Sequence, residues 1–239
     1  MNPLIIILGI LIVVISFYLI NYYFFTTKTL ATKIYLKESP ADIPSTAIKN
    51  PNSVLYSFGT WVYVNNFTNC RFLTYTTSSD IQPNNTLFSL ILGRTANIGN
   101  MNKPVLTAFI NGKGPDNSNI NKAIIITNNF PIQKWVHLLV SVDTTFVDCY
   151  LDGKLVTSSP LTPNEQIIKG PESSPFITFK NNTPPDIYLA KVTRWDYPLD
   201  PQSVYSEYSS GNGVDNTSLS VKLTVKTEDS TKDYNIYSN

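Results

Sequence analysis

The chain is 239 residues long, with 12% aromatic residues, 15% charged residues and a formal net charge of +1. That length fits one sizeable domain with appendages, and so nearly neutral a chain lacks the basic footprint that nucleic-acid binding requires. Its two cysteines cannot build a disulfide framework. With no CxxC and no Cys/His cluster, neither a metal site nor a cofactor is expected.

Residues 4–25, LIIILGILIVVISFYLINYYFF, contain no charge. About 22 residues at about 1.5 Å each give roughly 33 Å, enough to cross a hydrocarbon core of about 30 Å. Tyr18, Tyr22 and Tyr23 gather at the end of the run, where an interfacial aromatic belt belongs. A cleaved signal peptide would want a basic start and a shorter run; MNP carries no basic side chain, and Thr29-Leu30-Ala31 is a poor cleavage site. Residues 1–27 therefore read as a retained anchor that meets the lipid bilayer through residues 4–25. Lys28, Lys33 and Lys37 follow it, and positive charge stays on the cytoplasmic side, which puts the large domain in the cytosol. Four N-x-S/T sequons, at Asn66, Asn84, Asn181 and Asn216, are what an Asn- and Thr-rich chain carries by chance.

Residues 28–52 read as a linker or lead-in segment, with three prolines among ESPADIPSTAIKNPNS. From residue 53 to 239 strand patterns dominate. VLYSFGTWVYV (54–64), CRFLTY (70–75), LFSLIL (87–92), PVLTAFI (104–110) and KAIIIT (122–127) are separated by Asn-, Gly- and Pro-rich turns. HLLVSV (137–142), FVDCYLDGKLV (146–156), FITFK (176–180), IYLAKVTRW (187–195) and SLSVKLTV (218–225) follow. Many short strands at this spacing argue for an all-β sandwich or barrel. In FVDCYLDGKLV, Asp152-Gly153 suits a type I′ hairpin turn, which needs φ > 0 at both central residues. One short helix is predicted in YPLDPQSVYSEYSSGNG, capped by Asp200, with Pro201 at its first position and an apolar stripe of Val204, Tyr205 and Tyr208. Gly211 or Gly213 ends it.

Three segments, taken in order, carry a resemblance. SFGTWVYVNNF (57–67), KWVHLLVSVDTTFVDCYLDGKLVTS (134–158) and IYLAKVTRWDYPLDPQSVYSEYSSG (187–211) are similar to the early core strand, the central hairpin and the closing strand–helix of laminin-G and concanavalin-A-like domains. The resemblance implies a jelly-roll β-sandwich with one short C-terminal helix. An Asn-rich domain of this kind behind one membrane helix also resembles membrane-anchored virion proteins of large double-stranded DNA viruses. It implies a minor capsid protein that stands on a virion internal membrane and contacts the capsid or other virion proteins.

Glycoside hydrolysis on such a fold needs two carboxylates about 5–10 Å apart. The related laminarinase-type enzymes carry Glu-x-Asp-x-x-Glu, and here Glu occurs only at 38, 165, 172, 207 and 228, never in that spacing. Asp143 and Asp148 are the nearest pair on paper. The expectation is a non-enzymatic interaction protein, with a glycan-binding module as the alternative and a hydrolase as a remote one. His137 is the only histidine and reads as a structural strand residue. Alternation puts Trp135, His137, Leu139 and Ser141 on one side of their strand and Phe146, Asp148 and Tyr150 on the same side of the next. Val136, Leu138, Val140, Val142, Val147, Cys149 and Leu151 take the core side. Trp135, His137, Asp148 and Tyr150 are thus the candidate contact face for a partner or a glycan. That face is either open to ligand or covered by neighbouring segments or another protein.

Overall fold

A computed structural model describes residues 9–17, 19, 29–82, 85–94, 103–113, 119–161, 166–167, 175–213, 222–227 and 230–235. Residues 9–17 are helical, but no helix among the described residues is long and apolar enough to cross a membrane. The rest of the predicted span over 4–25 lies outside the described residues.

Two antiparallel sheets make the sandwich. The first has six strands in the order β1 (Thr29–Tyr35), β12 (Ile187–Trp195), β2 (Tyr56–Val64), β7 (Trp135–Val142), β8 (Phe146–Leu151) and β9 (Lys154–Pro160). The second runs β10 (Gln166–Ile167), β5 (Pro104–Lys113), β4 (Thr86–Arg94), β3 (Cys70–Thr76) and β11 (Phe176–Thr178), with β6 (Asn119–Thr127) also paired to β5. A separate hairpin, β13 (Lys222–Thr227) with β14 (Ser230–Asn235), forms a two-stranded sheet of its own. Helix α1 spans Pro201–Ser209.

Period-two alternation decides which side chains fill the space between the sheets. Val62 and Val64 on β2, Val136, Leu138, Val140 and Val142 on β7, and Val147 and Cys149 on β8 are all buried there. Phe58 and Phe88 stack across the gap at 4.9 Å, tying β2 to β4. Truncating Leu138 to Ala costs about 2–5 kcal/mol, and Phe58 or Phe88 about 3–5.

The segment 28–52, expected as linker or lead-in, carries a strand and core residues. Thr29–Tyr35 is the edge strand β1, paired with β12 from Thr29↔Thr193 to Tyr35↔Tyr188. Beyond it Leu36, Ile43 and Ile48 enter the core, and Ile43 bridges Ile177 of β11. The prolines interrupt regular structure without preventing burial of Leu36, Ile43 and Ile48. Arg194 fastens the end of this segment. Its Nη1 donates to the carbonyls of Lys49 and Asn50, and its guanidinium lies 5.3–5.9 Å from the ring centroids of Tyr56, Phe58 and Tyr75.

The strand directions give the sandwich two distinct ends. Thr29, Tyr56, Val142, Phe146 and Trp195 lie at one end of the first sheet, which we call the base because the apolar N-terminal run precedes Thr29. Tyr35, Val64, Trp135 and Ile187 lie at the other, the rim. Six residues of β1 at about 3.3 Å each separate them by roughly 20 Å.

Candidate functional site

The outer face of the first sheet divides into a covered half and an open row. The covered half begins where β12 ends. Residues 196–200 turn back over the sheet, held by Ser57 of β2 and Ser141 of β7, which are both buried. Leu199 N–H donates to both serine Oγ atoms at 2.9 and 3.0 Å. The Ser57 hydroxyl donates to the Tyr197 carbonyl at 3.0 Å, and that of Ser141 to the Leu199 carbonyl at 3.2 Å. Small hydroxyl side chains at these two positions let backbone lie directly on a sheet surface.

Helix α1 then starts as its residues dictate. Asp200 Oδ1 accepts from the N–H groups of Gln202 and Ser203 at 2.9 and 3.0 Å, and Pro201 fills the first turn. Hydrogen bonds from Ser203 hold the Asp200 carboxyl below its usual range. Val204 is fully buried in a small cluster with Leu139, Tyr150, Trp195 and Leu199. Tyr208 stacks on Trp61 at 5.6 Å, and Tyr205, expected in the same stripe, is 60% exposed. Val204 and Tyr208 are four apart and share a face, whereas 205 is turned about 100° away from 204.

This cover corrects the candidate contact face. His137 and Tyr150 are 3% and 1% exposed, so neither is available to a partner. Burial, helped by the Lys191 charge, lowers the His137 pKa to about 4, and its Nδ1 has no hydrogen-bond partner among the described residues. The ring lies 5.2 Å from Trp61 and 6.0 Å from Tyr208. Asp148, opposite Ser141, is half-buried. Trp135 alone of the aromatic candidates reaches the surface, and it does so in different company.

Trp135 stands at one end of a transverse aromatic row. The pairings Tyr35↔Tyr188, Tyr188↔Tyr63 and Tyr63↔Trp135 line up four aromatic side chains across β1, β12, β2 and β7. With strands about 4.8 Å apart, the row spans roughly 15 Å. Tyr35 and Tyr188 stack at 4.2 Å with their planes 6° apart. Tyr188 meets Tyr63 edge-on at 6.2 Å, and Tyr63 lies 5.5 Å from Trp135. All four are partly exposed. Lys33 Nζ sits 6.0 Å from the Tyr188 centroid.

Asp186, just before β12, organises the polar side of the row. It accepts from the Tyr35 hydroxyl at 3.1 Å and from Asn65 and Asn66 Nδ2 at 2.9 Å each. Desolvation opposes its ionisation, but those three hydrogen bonds and the Lys37 charge outweigh it and hold the carboxyl below its usual range. Desolvation and the bond to Asp186 push the Tyr35 phenol up to about 12. Tyr35 and Asp186 therefore keep their neutral-pH states, phenol and carboxylate.

The hairpin turn lies beside α1. Asp152 and Gly153 have φ of 48° and 74°, and Asp152 Oδ1 accepts from the backbone N–H of His137 at 2.9 Å. A Cβ on Gly153 would come within 3.0–3.1 Å of Tyr208.

Residues 37–205 match the family model described as the concanavalin A-like lectin/glucanases superfamily, which covers more than half of the chain. The chain belongs to the concanavalin A-like lectin/glucanases superfamily. Solved structures are similar to it at low sequence identity. The botulinum neurotoxin serotype D binding domain is 9% identical, with a TM-score of 0.51, over 77% of this chain and 44% of that one. Domain 4 of an extracellular arabinanase from Geobacillus stearothermophilus, in complex with arabinotriose, is 17% identical, with a TM-score of 0.45, over 69% and 70%. The chain thus spans less than half of the neurotoxin chain it matches. None of the curated proteins matches it in sequence.

In this concanavalin A-like chain, no group of three or more His, Cys, Asp or Glu side chains among the described residues is placed to hold a metal ion. Cys70 and Cys149 are both buried free thiols whose pKa burial pushes up to about 12, which keeps them protonated and unreactive.

Proposed function

We propose that the chain is a non-enzymatic interaction module: a membrane-anchored sandwich that binds a protein through the aromatic row at its rim. In its most specific form, the chain is a minor capsid protein linking a virion internal membrane to the capsid shell. The row Tyr35–Tyr188–Tyr63–Trp135 carries this reading. It is a band of partly exposed aromatic side chains on the half of the sheet that the described residues leave uncovered. Tyr and Trp give large contact area for few rotatable bonds, which is why they dominate binding hot spots. The charge-free run over residues 4–25, followed by Lys28, Lys33 and Lys37, supports the anchor and its orientation. The resemblance to anchored virion proteins supports the setting.

Mass spectrometry of purified virions before and after detergent tests it. The reading expects the chain in the particle, retained with the membrane until detergent releases it. Absence from the particle, or release by salt alone, overturns the capsid assignment.

Glycan binding is the second reading, favoured by Asn65, Asn66 and Asp186 beside the aromatic row. Against it, Tyr35 and Tyr188 spend one ring face each on the other. Saturable binding on a glycan array, abolished by Tyr63→Ala with Trp135→Ala, would favour the glycan.

A further inference from the structure

We infer that the rim of the sandwich is a docking surface for an acid-rich protein, and that the base is not. The inference rests on the reading of the chain as an interaction module and adds the partner's chemistry and the end it occupies.

Charge is distributed unevenly along the strands. Lys37, Arg94, Lys103, Lys134, Lys154 and Lys180 are all exposed, and each lies at or just beyond the rim end of its strand. The acids there are largely spent inside the chain. Asp42 pairs with Lys180 at 3.1 Å, Asp152 clamps the backbone of β7, and Asp186 accepts three hydrogen bonds, while Glu38 stands exposed beside Lys37. The residues between Arg94 and Lys103 add no charge. At the base, among the described residues, Asp80, Asp143 and Asp200 stand in the turns. Of the cations there, Lys49 is paired with Asp196 at 3.7 Å, as Lys180 is with Asp42 at the rim, Lys122 Nζ donates to the Pro160 carbonyl at 2.7 Å, and Lys113 ends β5. Among the described residues, exposed cations thus gather at the rim and acids stand in the turns of the base.

The basic rim and the aromatic row coincide. Lys33 and Lys37 flank the Tyr35 side, Lys134 adjoins Trp135, and Arg94 lies 5.1 Å from the Phe67 ring centroid. An acidic partner surface is attracted at a distance by the cations and held at contact by the aromatic residues. The stacked Tyr35–Tyr188 pair presents ring edges and hydroxyls, which suit side chains of a protein better than the flat face of a sugar. The rim also points away from Thr29, so a partner reaches it without displacing whatever holds the N-terminus.

The test uses the full chain in proteoliposomes and three probes: a Glu/Tyr copolymer, polygalacturonate and single-stranded DNA. The expected result is salt-sensitive binding of the copolymer, stronger than that of either other polyanion. The triple variant Lys37→Glu, Arg94→Glu, Lys134→Glu should weaken it by about tenfold or more, and Tyr63→Ser with Trp135→Ser by a similar factor. Asp80→Lys with Asp143→Lys at the base should leave it unchanged. The charge variants alter only exposed or half-buried side chains, so they keep the test decisive if the aromatic pair unfolds. Equal binding of polygalacturonate or DNA, indifference to the rim variants, or equal loss from the base variants would overturn the inference. Protease protection of the same vesicles reports the anchor separately. An intact anchor with no copolymer binding sinks the polarity alone, and an unanchored chain that still binds sinks only the membrane reading.

Discussion

Trp195 lies against the bare backbone of Gly59: a Cβ there would come within 2.9 Å of the indole and 3.4 Å of Leu139. The contact explains how a Trp at the end of β12 becomes 97% buried on the outer face of a sheet, since glycine on the adjacent strand leaves room for it. Gly59→Ala should therefore destabilise the domain by about 1–3 kcal/mol through overpacking. Trp195→Phe in the same chain should recover part of the loss. Denaturant unfolding of the parent and the two variants measures this, and an unchanged midpoint for Gly59→Ala would refute the packing.

The serine pair under residues 196–200 is expected to matter more than its size suggests. Ser57→Ala with Ser141→Ala leaves the Leu199 N–H and the carbonyls of Tyr197 and Leu199 without these partners on a buried surface. A loss of at least about 3 kcal/mol is expected, with each of the three unmet groups costing about 1–3. Increased proteolysis near residue 197 should accompany it. If the double variant resists protease like the parent, the segment is held by the apolar cluster instead.

Gly153→Val puts a β-branched residue at φ = 74° and its Cβ against Tyr208. Strain and contact act together, so a loss of about 1–3 kcal/mol is the expected minimum. Thermal unfolding measures it, and no shift would contradict the turn geometry.

His137 gives the fold a pH dependence of known sign. Buried, it titrates at about 4, whereas the unfolded chain takes up its proton at about 6.5. Stability is complete above about pH 6.5 and falls as pH drops towards 4, by up to roughly 3 kcal/mol. Asp186 and Asp200 are held low and act at more acidic pH. Urea unfolding between pH 4.5 and 7 should slope for the parent and flatten for His137→Gln. Parallel slopes would assign the effect elsewhere.

Alternation within single strands made much of this architecture legible. The core side of β7 and β8 follows from period two alone, and α1 announces itself in Asp200-Pro201. β1 was hidden because it lies between an apolar run and a proline-rich stretch, and only pairing with β12, over 150 residues away, defines it. The cover over His137 and Tyr150 was equally silent, since α1 packs through little more than Val204 and Tyr208. The aromatic row depends on register among residues 35, 188, 63 and 135. Alternation places Trp61 and Tyr63 opposite Val62 and Val64, but no local pattern says that Tyr188 falls between Tyr35 and Tyr63.

Photocrosslinking from the row tests the central claim most directly. A photoreactive side chain is placed at Tyr63 in the full chain within its own membrane, and at Tyr205 as a control that is exposed but outside the row. The account predicts a discrete protein adduct from position 63, none from 205, and loss of the adduct when Lys37, Arg94 and Lys134 are reversed to Glu. No adduct from 63, a glycan adduct there, or the same adducts from both positions would contradict it.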